Sequence, residues 1–566
     1  MRIHRIYMLM FFFLFVFSAL TVKIAYYQLV KGYTLALEAS YMRQRSIELK
    51  EYARGEIFDR HMLPLTSIST GKALYCLPRE IISNSPYSDQ ERAVGSAARI
   101  LAHILKDRSY DDIYNKLEKG IKRQDTFIRL FDDLSEAERE KINRSAPAGM
   151  VVAPVIKRYR SDGFCCHVLG YINGSENRGV SGIEYFYNDV LSEYPNSEEL
   201  TSVLDARGKV ITGLMFRVRK KENENRAGVV LTIDKRVQEI AEEAADKYIK
   251  KGAVVVLDVH SKEILAMVSR PKYDPYQIGK IKDDESSPLI NRALTPYHPG
   301  SLFKILLAAA FLEYDVASKE EEYYCEGGYR FNNGRTISCW KKEGHGWLDL
   351  REAFAYSCNP FFINLALRLV RDKIMEMAER MHIDEGKIIG YQPVKDAYVK
   401  IEKADMAVAN AALGQQGIML SPLNIASLVA TIADDGYFAP PVLVKYWIDK
   451  EGRKNIVYPE PRKKVISQET AKEIRKMMRL AVTEGTGKNA ELMAVNAAGK
   501  TATSQTGRFN EEEEEILNAW FGGFFPADHP RFAVVVLVEE GKTGGTSAAP
   551  VFKEIGDEMC RYFDFK

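Results

Sequence analysis

From Ile6 to Val22 the chain runs without a charge, as IYMLMFFFLFVFSALTV, and after Lys23 the apolar pattern continues as IAYYQLV to Val30. An uncharged run of about 17 residues predicts one helix at the short end of what spans a bilayer. Lys23 is close enough to the helix end to snorkel toward the interface. A cleaved signal peptide is the alternative, but the run is long for one and no clear small-x-small cleavage site follows. Arg2 and Arg5 precede the run. The positive-inside rule therefore holds residues 1–5 in the cytoplasm and places the chain beyond the anchor, residues 6–30, outside.

Behind the anchor, residues 31–225 mix short strands and helices: SIELKEYARGEIFDR, a helical run near AVGSAARILAHIL, and VVAPVIKRYR. Arg217–Arg226 (RVRKKENENR) has the polarity of an exposed loop or hairpin and marks a boundary. From residue 226 the pattern changes. VVLTIDKRVQEIAEEAADKYI predicts a strand running into a helix capped by Asp234, and KGAVVVLDVHSKEILAMVS predicts a hairpin turning at His260-Ser261. Helical stretches dominate from about residue 301 to 435. Three strands follow, around AVNAAGKTATSQ, LNAWFGGFFP and RFAVVVLVEE, then a last helix at APVFKEIGDEMCRYF. Strands at both ends of a helical middle predict an α+β domain over residues 226–566, an antiparallel sheet flanked by helices.

Composition changes this picture little. With 566 residues the chain exceeds what one core usually fills, so two or more domains are expected. A formal net charge of +2 and no basic, aromatic-interleaved patch argue against a nucleic-acid binder. Seven cysteines suit an exported protein that does not depend on a disulfide framework. Cys325 and Cys339 either pair across YYCEGGYRFNNGRTISCW, which reads as a hairpin around Asn333-Gly334, or stay reduced; adjacent Cys165 and Cys166 do not pair with each other. No cysteine stands at metal-ligand spacing from a histidine, so neither a zinc site nor a cofactor is expected.

Candidate chemistry gathers in three places. In YHPGSLFKILLAAAFLE, Ser301 opens an apolar helix and Lys304 follows at i+3, on the same face. Burial among Ile305, Leu306 and Leu307 disfavours the ammonium, so Lys304 could serve as a base toward the hydroxyl. The unpaired first-turn N–H of Ser301 could help bind an oxyanion. In AYSCNPFF, Ser357 and Asn359 are expected to project from a loop tip, with Pro360 well placed as the first residue of the helix that follows. GKTATSQTG then supplies Lys500 and Thr501 on a strand of small residues.

Taken singly, each of these reads more simply as an ordinary helix start or strand. Together, Ser301-x-x-Lys304, Ser357-x-Asn359 and Lys500-Thr501 resemble, in order and spacing, the motifs of penicillin-binding transpeptidases. Much of the remaining chain is similar to class B penicillin-binding proteins, the monofunctional D,D-transpeptidases. RGEIFDR (Arg54–Arg60), HVLGYINGSENRGVSGIEYFYNDVL, LTIDKRVQ, GHGWLDLREAF, ALGQQGIMLSPLNIASLVATIADDGY, VTEGTGKNA and AWFGGFFP carry this resemblance.

The resemblance implies a serine acyl-enzyme on D-Ala-D-Ala stem peptides, blocked covalently by β-lactams. It makes Ser301 the nucleophile, Lys304 the base and Ser357 a proton relay. Asn359 holds the substrate amide, Lys500 polarises Ser357, Thr501 binds the substrate carboxylate, and the Thr503 N–H joins that of Ser301 on the oxyanion. It also implies a partner, a membrane glycan polymerase of the SEDS type. EGKTGGTSAAP repeats the Lys-Thr-Gly signature at Lys542, but Lys500 is the one expected on a strand beside the pocket.

Two departures are visible. Ala502 stands where the family usually has glycine, which implies altered substrate or β-lactam fit, and Tyr159-Arg160 stands where relatives tend to have Tyr-Pro. Ala502 is the feature that favours a second reading, a non-catalytic scaffold regulating the polymerase. A third, a β-lactamase or β-lactam sensor, is disfavoured by the long module that carries RGEIFDR. Glu511–Glu515 reads as a solvated hairpin tip; Asp59, Glu184 and Asp258 read as structural; His345 is expected to shape a turn near the site.

Overall fold

The computed structural model describes residues 2–565 apart from 33, 36–43, 50–53, 68, 84, 88, 124–127, 133, 148, 174–176, 193–197, 204–216, 221–227, 282–283, 317 and 319. The expected boundary at 225–226, and the RVRKKENENR segment from residue 221 on, lie outside the described residues. Helix α1 (Arg2–Ala25) passes into a π-helical turn at Tyr26–Val30. His4–Val30 has a mean hydropathy of 2.2 over its most apolar window and is long and apolar enough to cross a membrane.

The chain forms two compact units. The first comprises Met1–Ala53, Ser69–Lys157 and Pro195–Asn223. It contains a sheet in which Ser69–Cys76 lies between Ile128–Phe131 and Met150–Lys157, and a second of Gln44–Leu49, Glu198–Val203 and Arg217–Lys220. Helices Gln90–Ile104 and Tyr110–Lys122 supply Val94, Ala98, Leu101, Ile113 and Leu117 to its core.

The second unit comprises Arg54–Ile68, Arg158–Tyr194 and Glu224–Lys566, so the chain enters it three times. Strand β1 (Glu56–Phe58), within RGEIFDR, pairs in parallel with β2 (Gly228–Leu231). Asp234 caps α2 (Lys235–Tyr248), its carboxylate accepting from the Arg236 and Val237 amides.

A five-stranded antiparallel sheet forms the centre of this unit. Its hairpin is β3 (Gly252–Asp258) and β4 (Ile264–Arg270), and its closing strands are β5 (Ala498–Phe509), β6 (Glu515–Phe525) and β7 (Phe532–Val538). The order is β4-β3-β7-β6-β5, which leaves β5 at an edge. Side chains alternate between two apolar layers. Val255, Leu257, Val535 and Leu537 join one, and Val254, Val256, Val534 and Val536 join the other, with α2 and the last helix, Ala549–Tyr562. Because both faces are covered, β3 and β7 read as unbroken apolar runs rather than alternating ones. The α+β fold, an antiparallel sheet flanked by helices, is as the sequence predicts.

The three carboxylates expected to be structural have structural partners. Glu184 is fully buried against the Arg54 Nε at 3.0 Å, with Arg158 and the Tyr159 hydroxyl on its other oxygen. Asp59 accepts from the His61 and Leu63 amides at 2.8 Å each. Asp258 accepts from the His260 and Ser261 amides and closes the β3–β4 turn.

Candidate active site

Gly300 adopts φ +57°, and a Cβ there would stand 3.0 Å from the Thr503 carbonyl oxygen, so glycine lets this turn lie directly against edge strand β5. The following residues form a 3₁₀ turn, Gly300–Phe303, before the α-helix Lys304–Glu313 begins. In a 3₁₀ turn residues i and i+3 eclipse, which places Ser301 and Lys304 on one side. All but two residues of Lys304–Glu313 are buried, as expected of a helix apolar on every face.

Ser357 and Asn359 come from a tight tip between the helices Leu350–Ala355 and Asn359–Leu369. Asn359 is the first residue of the second helix and Pro360 the next, one place later than the sequence suggests. Ser357 holds φ +57°, a left-handed conformation uncommon for a residue with a Cβ. The tip is tied back by the Cys358 amide donating to the Ala353 carbonyl at 2.9 Å, and by the Trp340 indole donating to the Tyr356 carbonyl at 2.9 Å.

These elements converge. The Ser357 hydroxyl donates to the Ser301 Oγ at 3.1 Å. The Lys304 amine donates to the Asn359 side-chain oxygen at 2.8 Å, the Ser357 carbonyl at 3.1 Å and the Ser357 Oγ at 3.3 Å. Lys304 is fully buried with no carboxylate partner, and desolvation pushes its pKa down to about 8. Lys500, also fully buried, is held well below the usual lysine range, first by burial and then by Lys304. Its amine donates to the Thr501 carbonyl at 3.0 Å and lies 5.7 Å from the Phe354 ring centre, and it makes no hydrogen bond to Ser357.

Along β5, the Thr501 and Thr486 hydroxyls meet at 2.5 Å, and the Thr503 hydroxyl accepts from the Gly544 amide at 3.3 Å. Ala502 is buried, and its methyl would stand 3.4 Å from a Cβ on Gly300. The methyl therefore faces the turn that carries Ser301. Lys542 is exposed and follows β7, where its backbone amide donates to the Ser547 hydroxyl. Asn518 in β6 is buried, with its side-chain oxygen unpartnered.

Sequence reasoning missed one feature here. Behind the Ser357 tip, Cys358 meets Cys325, at the end of a short strand, and Cys339 and His345, each in a loop beside one. The neighbouring Cys358 thiol holds Cys339 below the usual thiol range, and Cys339 in turn pushes the Cys358 thiol up. Cys325 and Cys339 do not pair, and all seven cysteines are free thiols. The hairpin expected at Asn333-Gly334 is present, between Gly328–Arg330 and Thr336–Ser338.

A serine hydrogen-bonded to a second serine, two buried lysines without carboxylate partners and an edge strand beside the turn that carries Ser301 form the arrangement expected from the penicillin-binding transpeptidase motifs. The family pattern of the penicillin binding protein transpeptidase domain matches residues 252–557, and that of the penicillin-binding protein dimerisation domain matches residues 50–225. Stage V sporulation protein D of Bacillus subtilis is 30% identical over 576 residues, covering 97% of this chain and 84% of the relative. The peptidoglycan D,D-transpeptidase PbpA of Mycolicibacterium smegmatis is 32% identical over 338 residues, covering 53% of this chain and 65% of the relative. The peptidoglycan D,D-transpeptidase MrdA of Haemophilus influenzae is 27% identical over 569 residues, covering 89% and 83%. The chain belongs to the class B penicillin-binding proteins.

Proposed function

We propose that the protein is a peptidoglycan D,D-transpeptidase anchored by residues 6–30, with residues 1–5 inside and its catalytic domain outside the cell membrane. The observation that carries this reading is the hydrogen-bonded series from Ser301 through Ser357 to buried Lys304. Ser301 Oγ attacks the penultimate D-Ala carbonyl of a stem peptide. Its proton passes through the Ser357 hydroxyl to a neutral Lys304 amine, the direction opposite to the resting donation. The Ser301 and Thr503 amides bind the oxyanion, and the same relay returns the proton as the terminal D-Ala leaves as an amine. An amine from a neighbouring strand then attacks the ester, forms the cross-link amide and frees Ser301.

Asn359 holds both the substrate amide and Lys304, and Thr501 binds the substrate carboxylate. Lys500 is assigned to polarise Ser357 once substrate is bound, whereas at rest its amine donates to the Thr501 carbonyl. A β-lactam enters as an acyl donor, and its ring amide opens onto Ser301. The membrane-proximal module, residues 31–225, is the surface we assign to a SEDS-type glycan polymerase, and residues 226–566 are assigned to transpeptidation.

Turnover of a D-Ala-D-Ala-mimicking thioester by the full chain in detergent tests the reading. Wild type is expected to release the thiol and to transfer the acyl group to an added D-amino acid. Lys500→Ala is expected to lose activity on the order of 10²-fold, the scale of removing one electrostatic contact to a developing charge. Lys542→Ala should stay within about twofold of wild type, as an exposed substitution does. Equal losses in both variants, or none in either, would contradict the assignment of Lys500.

A further inference from the structure

The Cys325, Cys339 and Cys358 sulfurs and a His345 ring nitrogen all lie within 4.8 Å of one another. Along the chain these residues have no compact ligand spacing, which is why the sequence alone gives no metal site. Folding gathers them. Cys325 ends the strand Tyr323–Cys325, and His345 directly precedes its partner strand Gly346–Leu348. Cys339 follows the hairpin strand Thr336–Ser338, and Cys358 caps the helix Asn359–Leu369.

Three properties separate this cluster from a chance meeting of thiols. The three cysteines are 1%, 3% and 0% exposed, and all are unpaired. The His345 ring is clamped, edge-on to Trp340 at 5.4 Å and stacked on Tyr356 at 6.2 Å. Its Nδ1 stands 3.6 Å from the Cys339 sulfur, while its Nε2 is buried with no hydrogen-bond partner, so no other hydrogen bond competes for the ring.

We propose that Cys325, Cys339, His345 and Cys358 bind one zinc ion in a closed tetrahedral site that fixes the tip carrying Ser357 and Asn359. Zinc–sulfur bonds of about 2.3 Å place tetrahedral ligands roughly 3.8 Å apart, within an ångström of the spacing already present. Three thiolates and an imidazole are soft and borderline donors, which select zinc over magnesium or calcium. With four protein ligands no position remains for water or substrate, so the ion is structural.

The local fold has use for such an ion. Residues 323–348 form strands of only three residues each, with Tyr324, Trp340 and Trp347 exposed, so little regular structure holds this segment. Cys358 stands between Ser357 and Asn359, so a bond to its sulfur restrains both neighbours. The inference does not rest on transpeptidation, because metal content reads out whether or not Ser301 acylates.

The test uses the full chain in detergent, reduced, freed of metal and then offered zinc or cobalt. One zinc per chain is expected to survive gel filtration. The cobalt form is expected to show a near-ultraviolet thiolate-to-cobalt charge-transfer band and intense visible ligand-field bands of a tetrahedral site. Cys325→Ser and His345→Ala, neither of which touches Ser301, are expected to weaken zinc at least on the order of 100-fold, judged by chelator competition. A reduced wild-type chain that titrates with its thiols free yet retains no stoichiometric zinc and gives no cobalt bands overturns the proposal. So does a disulfide within the cluster that persists under the same reduction.

Discussion

Replacing Lys304 by methionine is expected to slow acylation by a β-lactam on the order of 10²- to 10⁴-fold, the range for loss of a positioned general base. Methionine keeps an unbranched stem in a fully buried position, so the change removes the amine with little loss of packing. Three acceptors lose their donor: the Asn359 side-chain oxygen, the Ser357 carbonyl and the Ser357 Oγ. The rate loss should therefore come with a modest fall in stability, and stopped-flow acylation beside a thermal melt separates the two. Near-wild-type acylation by a folded Lys304→Met chain would remove Lys304 from the mechanism. Lys500 would not replace it on the present geometry, since its amine donates to the Thr501 carbonyl and makes no hydrogen bond to Ser301 or Ser357.

Glu184→Ala is expected to destabilise the second unit by about 3–5 kcal/mol, with no direct effect on the chemistry of Ser301. Both partners of the Arg54–Glu184 pair are fully buried, and Glu184 also takes Arg158 and the Tyr159 hydroxyl. Removing the carboxylate leaves two guanidinium groups facing each other without their shared anion. Arg54 keeps its bond to the Asn177 carbonyl at 2.6 Å, which satisfies a donor but neutralises nothing. Denaturant unfolding of the full chain should show the loss, and Glu184→Gln should recover part of it through the hydrogen bonds alone. A change smaller than about 0.5 kcal/mol, the scale of a surface substitution, would show that the buried cluster is not what holds RGEIFDR in place.

How much of this was legible in the sequence depends on chain distance. Ser301 and Lys304 are three residues apart on a run of apolar residues, so a local rule places them together. The β3–β4 hairpin and strand β7 declare themselves because both of their faces are buried and their sequences are almost uninterrupted apolar residues. The Asp234 cap is equally local.

Contacts across long separations were not legible. Arg54 and Glu184 are 130 positions apart, and only folding reveals that the residues 54–68 and 158–194 join the unit that contains the site. The cysteines illustrate the same limit. Periodicity and spacing treat Cys325, Cys339 and Cys358 as separate residues, and no local rule connects them to His345. Ser357 shows a third kind. The sequence predicts a loop tip there, but not the left-handed backbone, uncommon for serine, with which the structure forms it. The expectation for Lys500 was half local: strand β5 carries it as predicted, while the partner of its amine depends on side-chain packing around Phe354.

The account's central claim is that Ser301 is the acylated nucleophile. Labelling the full chain with a fluorescent penicillin, followed by peptide mass spectrometry, tests it most directly, with Ser301→Ala beside the wild type. The account predicts one stable penicilloyl adduct per chain, on the peptide containing Ser301, and none in the variant. A folded wild-type chain that takes no label, or one labelled on a residue other than Ser301, would contradict it.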